Sequence, residues 1–176
     1  MVPPIDRSLI ALIGLSGTGK SSVGQALAAR LGWRLLDTDV LVAQAAGRSI
    51  AQIFAADGEA HFRELEATAL RVALAVAPAI VATGGGIVVR AENRALLRAR
   101  AHVVWLDAPT EALIARLRAH DEPRPLLDGA DPAARLEALR AARAALYAET
   151  AHLRVETGGR DVAAVCEDIL RAVARS

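Results

Sequence analysis

Eight residues close to the start of the chain constrain its fold more than any other segment. Residues 14–21 read GLSGTGKS and match the pattern G-x-x-x-x-G-K-[ST]. The apolar run LIALI precedes them at residues 9–13, and a helical pattern follows over residues 23–31. Between a strand and a helix this pattern forms a P-loop, because backbone N–H groups and a helix N-terminus face one concavity that holds phosphates. The alternative is a chance glycine-rich turn.

The single lysine of the chain lies in this motif. Among the 21 lysine and arginine residues, Lys20 is the only lysine. Its compact ammonium suits a position among phosphate oxygens, where it would reach the β- and γ-phosphates. Ser21 is the expected ligand of Mg²⁺. The residues expected to bind the nucleotide phosphates are Gly17, Thr18, Gly19, Lys20, Ser21 and Ser22.

Length and composition narrow the class of protein. At 176 residues we expect one domain over residues 1–176, and a net charge of +1 gives no reason to expect nucleic acid or an anionic membrane as a partner. The lone Cys166 excludes a disulfide framework and a thiolate metal site. Residues 1–7 lack the apolar core of a signal peptide, and no apolar run approaches the roughly 18 residues of a membrane span. We therefore expect a cytoplasmic monomer.

Short apolar runs alternate with helical patterns along the chain, which predicts a five-stranded parallel sheet with helices on both faces. Strands are expected at residues 9–13, 33–36, 79–82, 102–106 and 152–156. Helices are expected at residues 23–31, 40–76 (broken near 47–48 and 57–58), 92–100, 109–118, 131–148 and 161–173. The intervening residues 121–129 are too rich in proline and charge to form an element.

Polar and glycine-rich segments follow several of these strands, at the sheet edge where ligands of such folds bind. Asp37 and Asp39 end the second strand, where one carboxylate can support the Mg²⁺ shell through water and the other can accept a substrate proton. The alternative is that one of them only caps the next helix. Gly84, Gly85 and Gly86 end the third strand and predict a backbone that lines a ligand.

Taken together, these segments resemble the shikimate kinases from residue 9 to about residue 173. The matching segments are GLSGTGKS (14–21), DTD (37–39), GEAHFRELE (58–66), GGG (84–86), RPLL (124–127) and RAALY (143–147). The resemblance implies a fold like that of nucleoside monophosphate kinases, with a mobile lid at about residues 119–131 and a substrate-binding helical region at about residues 38–76. It also implies transfer of the ATP γ-phosphate to the 3-hydroxyl of shikimate.

The resemblance further implies a role for each site residue. Asp39 would hold the reacting hydroxyl, Arg63 and Arg143 would clamp the shikimate carboxylate, and Glu66 would orient Arg63. The backbone of Gly84, Gly85 and Gly86 would complete the pocket. On the nucleotide side, Arg116 would lie over the adenine, Arg124 would arrive with the lid and act in catalysis, and Arg160 would approach the nucleotide.

Three alternatives accompany this interpretation. Arg140, one helical turn before Arg143, is the alternative for the second clamp arginine, because the family's usual proline after this arginine is replaced by Ala145. The chain could instead be another small-molecule P-loop kinase of the gluconate type, which would not need two clamp arginines. It could also be a shikimate-kinase-like binding module without turnover, which could dispense with Lys20, Asp39 or Arg124, although all three are present.

Overall fold

The computed structural model describes residues 8–119 and 131–175. Within those ranges the chain forms five strands and seven α-helices, which alternate as predicted. The strands are β1 (Leu9–Ile13), β2 (Arg34–Asp37), β3 (Ala79–Ala82), β4 (His102–Asp107) and β5 (Leu153–Glu156). The helices are α1 (Lys20–Leu31), α2 (Thr38–Ala46), α3 (Ile50–Ala73), α4 (Ala91–Arg100), α5 (Thr110–Arg118), α6 (Pro132–Thr150) and α7 (Val162–Val173). A short 3₁₀ helix, Ile87–Val89, was not predicted.

The strands form one parallel sheet with the order β2-β3-β1-β4-β5. The P-loop leaves the central strand β1, and the segments after β2, β3 and β4 leave the same edge of the sheet. This arrangement confirms the predicted fold class. It also places the polar strand ends around the P-loop, as expected for the carboxyl edge of a doubly wound sheet.

Strand β1 is completely buried and contributes to two separate cores. Leu9, Ala11 and Ile13 pack with residues of α3, α4, α5 and α6 on one face of the sheet. Ile10 and Leu12 pack on the other face with residues of α1 and α7. Because alternate side chains of a strand point to opposite faces, a continuous apolar run is required where both faces are covered.

Two glycines break the long helical region, as the sequence predicted. Gly47 ends α2 in the left-handed conformation (φ 63°), and Gly58 (φ 81°, ψ 175°) kinks α3. A third cluster, which includes Val42, Ile53 and Phe62, packs α2 against α3. The two helices therefore form one packed unit beside the sheet edge, and this unit is the helical region expected to bind substrate.

Most of the predicted lid, residues 119–131, lies outside the described residues. In the parts of the chain that the structure describes, no helix combines the length and the apolar character needed to cross a membrane.

Candidate active site

The P-loop is a tight turn that its glycines make possible. Gly14, Gly17 and Gly19 have φ values of 140°, 85° and 94°, which side chains rarely tolerate. A Cβ atom at Gly14 would lie 2.2 Å from the carbonyl oxygen of Leu106 on the neighbouring strand. The loop therefore approaches β4 as closely as a backbone can, and α1 begins directly after it at Lys20.

Polar side chains of this segment donate hydrogen bonds to backbone carbonyl groups of the same loop. The Nζ atom of Lys20 donates to the carbonyl oxygens of Gly14 and Leu15, both at 2.8 Å. The buried Thr18 hydroxyl donates to the Leu15 carbonyl at 2.8 Å. Lys20 thus lies across the concavity in which the P-loop motif holds phosphates.

Asp37 caps α2, which is the alternative that the sequence left open, and its role toward Mg²⁺ stays a prediction. Its Oδ1 accepts hydrogen bonds from the backbone N–H groups of Asp39 (2.9 Å) and Val40 (3.3 Å), which caps α2. Its Oδ2 accepts a hydrogen bond from the Ser21 hydroxyl at 3.5 Å. One oxygen therefore holds the helix, and the other faces the first turn of α1.

Asp39 has a buried oxygen, Oδ1, that has no hydrogen-bond partner within residues 8–119 and 131–175. Burial, the largest cause, and the negative charges of Asp37 and Glu66 raise the pKa of the Asp39 carboxyl to about 6. Lys20 and Arg63 lie close enough to oppose that rise. An unsatisfied carboxylate with a pKa near neutrality is typical of a group that exchanges a proton.

Arg63 is held between two carboxylates of its own helix. Its Nη1 donates to Oε2 of Glu66 at 2.9 Å, and Glu66 is completely buried. Its Nε and Nη2 donate to Oε1 of Glu59 at 3.2 and 2.9 Å. Burial alone would lower the pKa of Arg63, but these two carboxylates outweigh burial and raise it. The guanidinium is therefore a fixed positive charge at the site.

The glycines after β3 leave room for these charged groups. A Cβ atom at Gly84 would lie 2.7 Å from both Asp39 Oδ1 and Glu66 Oε1, and one at Gly86 would lie 2.1–2.4 Å from the Arg63 guanidinium. The lining of a ligand by the backbone of this segment stays a prediction. Within the protein, the Gly84 N–H donates to the Thr38 hydroxyl at 3.0 Å.

The two candidate clamp arginines on α6 have different surroundings. Arg140 donates to Oδ1 of Asp107 at 3.0 Å and to the Ala108 carbonyl, so the end of β4 holds it. Arg143 is 7% exposed and lies close enough to Glu66 to lower the pKa of that carboxyl, which burial raises. Of the two arginines, only Arg143 is placed beside Glu66 and therefore beside the acidic group around Asp39.

Tyr147 connects Arg143 with the glycine segment. Its hydroxyl donates to the Gly85 carbonyl and accepts a hydrogen bond from Arg143, while its ring stacks on Trp105. Burial raises the pKa of Tyr147 to about 12, so the hydroxyl keeps its proton. The Tyr147 hydroxyl thus links α6, which carries Arg143, to the glycine segment after β3.

Of the nucleotide-side arginines, Arg116 lies beside the P-loop. Its Nη1 donates to the Gly17 carbonyl at 3.1 Å, and its Nη2 donates to the Thr157 carbonyl at 2.6 Å. Its contact with adenine stays a prediction, as does that of Arg160, which pairs with Asp168 of α7 at 2.6 Å. Arg124 lies outside the described residues.

Thr157 and Glu59 are site residues that sequence reasoning missed. The buried Thr157 hydroxyl lies 3.1 Å from the carbonyl oxygens of Thr18 and Asp107, and it accepts from Arg116. Thr157 directly follows β5, so the strand-end rule that placed the other residues could have found it. Glu59 lies four residues before Arg63, so the i,i+4 spacing on a helix could have indicated their pairing.

A P-loop motif beside a buried carboxylate with an unpartnered oxygen offers the two groups that phosphoryl transfer requires. The arginines beside that carboxylate indicate an acceptor molecule that carries a negative charge. The fold and the site together define a P-loop kinase of small molecules.

Comparisons with known proteins identify the family. A family model of shikimate kinases matches residues 16–174. A shikimate kinase of Symbiobacterium thermophilum is 49% identical over 162 residues, covering 92% of this chain and 93% of the relative. One of Geobacter sulfurreducens is 45% identical over 174 residues, covering 99% and 93%. The solved structure of the Acinetobacter baumannii shikimate kinase in complex with shikimate superimposes with a TM-score of 0.91 at 35% identity, covering 95% of this chain and 93% of that one.

The chain belongs to the shikimate kinase family. Its activity is the ATP-dependent phosphorylation of shikimate. The expected family, activity and use of ATP are thereby confirmed.

Proposed function

We propose that the chain transfers the γ-phosphate of ATP to the 3-hydroxyl of shikimate through the residues named from the sequence. Asp39 accepts the hydroxyl proton, Arg63 and Arg143 hold the shikimate carboxylate, and Lys20 contacts the phosphoryl group in transfer. The main support is the buried Oδ1 of Asp39, which has no partner among the described residues although Lys20 and Arg63 both lie near it.

Asp39 is suited to the acceptor side of the reaction. A substrate hydroxyl would donate to Oδ1, for which residues 8–119 and 131–175 provide no partner. A pKa of about 6 keeps most of the carboxylate ionised at neutral pH while bringing its basicity nearer to that of an effective proton acceptor. As the oxygen attacks phosphorus, its proton passes to Asp39.

The arginines are suited to the carboxylate of the substrate. The planar guanidinium binds a carboxylate through two parallel hydrogen bonds, which fixes orientation as well as charge. Glu66 holds Arg63 from the interior, and Tyr147 holds Arg143. With Gly84, Gly85 and Gly86 making room beside them, these residues orient the 3-hydroxyl toward Asp39.

The nucleotide lies on the P-loop side in this proposal. Gly17, Thr18, Gly19 and Ser22 line the phosphates together with Lys20. Arg116, Arg124 and Arg160 approach the nucleotide, and Arg124 acts within the lid at residues 119–131.

Ser21 and Asp37 have the donors that Mg²⁺ requires. The Ser21 hydroxyl and Asp37 Oδ2 are hard oxygen atoms 3.5 Å apart, and Mg²⁺ binds such atoms directly or through water. Ser21 would be a direct ligand, and Asp37 would act through water because its other oxygen caps α2. When bound, Mg²⁺ offsets the negative charge of the phosphates.

We also infer that residues 1–176 act as a single-domain cytoplasmic monomer on small molecules, without nucleic acid or membrane. A net charge of +1 supports the absence of nucleic acid and membrane partners. The presence of the proposed nucleotide and shikimate sites in one chain supports a monomer. Sedimentation equilibrium at micromolar concentration tests it, and a stable dimer would contradict the monomer.

An ADP-release assay with different acceptors tests the proposed function. Shikimate should be phosphorylated, quinate weakly, and gluconate and nucleoside monophosphates not measurably. Lys20→Ala should abolish nearly all ADP release and retain the circular dichroism spectrum of the wild type. Preference for gluconate, or turnover by Lys20→Ala close to that of the wild type, would contradict the proposal.

A further inference from the structure

Glu59 occupies the edge of Arg63 that a ligand would need. A guanidinium binds a carboxylate best through two neighbouring N–H groups. The Nε and Nη2 atoms of Arg63 form such a pair, and both donate to Oε1 of Glu59, at 3.2 and 2.9 Å. In the described structure, this fork is therefore filled by a carboxylate of the protein itself.

The other parts of the guanidinium face the protein interior. Nη1 donates to Glu66, whose side chain is 0% exposed. The Cα of Gly86 lies so close to Nη1, Cζ and Nη2 that a Cβ atom there would clash with all three. The Glu59 side chain, by contrast, is 51% exposed. The Nε–Nη2 edge, which Glu59 occupies, is thus the edge of the Arg63 guanidinium that faces solvent.

We propose that Glu59 is a displaceable occupant of the Arg63 fork, which competes with the carboxylate of the substrate and sets the affinity for it. This inference rests on the proposed role of Arg63 in binding that carboxylate. It makes Glu59 a specificity-determining residue whose effect is opposite to that of Glu66. Glu66 orients Arg63 for the substrate, whereas Glu59 must leave before the substrate carboxylate takes the same N–H groups.

The position of Glu59 allows it to leave. It directly follows Gly58, whose φ of 81° and ψ of 175° interrupt α3, so the helix hydrogen bonds do not hold this turn from both sides. Its carboxylate is 51% exposed and can exchange Arg63 for water, although the Arg63 side chain itself is 9% exposed. Glu66 has no such route, because its side chain is fully buried.

The exchange also selects for charge. With Glu59 and Glu66 both in place, the negative charges around Arg63 outnumber its positive charge. An entering carboxylate replaces the charge of Glu59, whereas an uncharged ligand offers Arg63 less than the carboxylate it would displace. An uncharged ligand therefore leaves Glu59 in place and binds without this competition, whereas Glu59 weakens the binding of acceptors that carry a carboxylate.

Glu59→Gln tests the proposal, with Glu64→Gln as the matched control. Glu64 lies on the same helix and changes the net charge equally, but its 71% exposed side chain pairs with His61 instead of Arg63. The Kd of shikimate, measured by titration calorimetry, should fall about twofold to fivefold in Glu59→Gln, because only the Glu59 side of this ion pair is open to solvent. It should stay within 1.5-fold, roughly the measuring error, in Glu64→Gln. The Kd of shikimate methyl ester should not fall in either variant.

The sign of the change decides the outcome. A higher shikimate Kd in Glu59→Gln would mean that Glu59 only orients Arg63, and an unchanged Kd would mean that it does not compete. Either result overturns the proposal, as does an equal gain for the methyl ester. Arg63→Lys separates this failure from that of the proposed function. If Arg63→Lys leaves shikimate binding unchanged, the clamp itself is wrong, whereas weakened binding in that variant with no gain in Glu59→Gln removes only the role of Glu59.

Discussion

Two aspartates at the same edge of the sheet have opposite surroundings. Asp107 is the last residue of β4, and Asp39 follows β2 by two residues. Oδ1 of Asp107 accepts from the Ala108 N–H at 2.9 Å and from Arg140 at 3.0 Å, and its Oδ2 accepts from Arg154 at 2.7 Å. Oδ1 of Asp39 is buried and has no partner in the described parts of the chain.

The difference distinguishes a carboxylate that joins structural elements from the one that we propose as the proton acceptor. Asp107 is offset by two arginines and fastens α6 and β5 to the end of β4. Asp39 is left without that compensation, and its pKa rises to about 6, chiefly through burial. A buried oxygen without a partner costs stability, so the structure holds Asp39 ready for a hydrogen bond that a ligand would supply.

Replacing Asp39 should have the largest effect on activity. We expect Asp39→Asn to lower kcat by roughly 10²–10⁴-fold, because the amide cannot accept the hydroxyl proton. ATP binding, measured by titration calorimetry, should be retained. A loss below about threefold would remove Asp39 from this role and make Asp37 the better candidate.

Replacing Asp107 should lower stability more than activity. Asp107→Ala leaves Arg140 with only the Ala108 carbonyl among the described residues and should reduce the free energy of unfolding by about 2 kcal/mol, the scale of lost hydrogen bonds to charged groups. Urea denaturation measures this change. If kcat fell as far as in Asp39→Asn while stability did not change, the contrast between the two aspartates would be wrong.

Replacing Arg143 and Arg140 should show the same contrast between an effect on activity and an effect on stability, with smaller magnitudes. Arg143→Lys keeps the charge but loses the fork, so the KM for shikimate should rise about tenfold or more with the KM for ATP nearly unchanged. Arg140→Lys should lower the thermal unfolding temperature and change the KM for shikimate less than about twofold, because Arg140 is held by Asp107. The reverse pattern in steady-state kinetics would make Arg140 the clamp residue.

The smallest effect concerns pH. The reaction needs ionised Asp39, and a carboxyl whose pKa is about 6 is mostly ionised at pH 8 and half protonated at pH 6. From pH 8 to pH 6, kcat/KM for shikimate should therefore fall about twofold, and below pH 6 it should fall about tenfold per pH unit. The residual activity of Asp39→Asn should lack this step. A step that persists in the variant would belong to another group.

Much of the fold was predictable because its signals are local. Alternate burial on two faces produces the continuous apolar runs of β1 and β4, which identified them as strands of a covered parallel sheet. Gly47 and Gly58 interrupt the helical region as predicted, since glycine favours positive φ values that other residues avoid. The P-loop was predictable because its pattern and its flanking strand and helix lie within one continuous segment.

What the sequence by itself determined about this protein is therefore the order of strands and helices, the breaks and the phosphate-binding loop. Through its motifs it also indicated the family. Only the tertiary structure separated Arg140 from Arg143 and left Oδ1 of Asp39 without a partner among the described residues. These features depend on how α3 and α6 pack beside the sheet edge, where a shift of one helical turn exchanges one arginine for another. Local sequence signals do not encode such distances, because Asp39, Glu66, Asp107 and Arg143 are tens of residues apart along the chain.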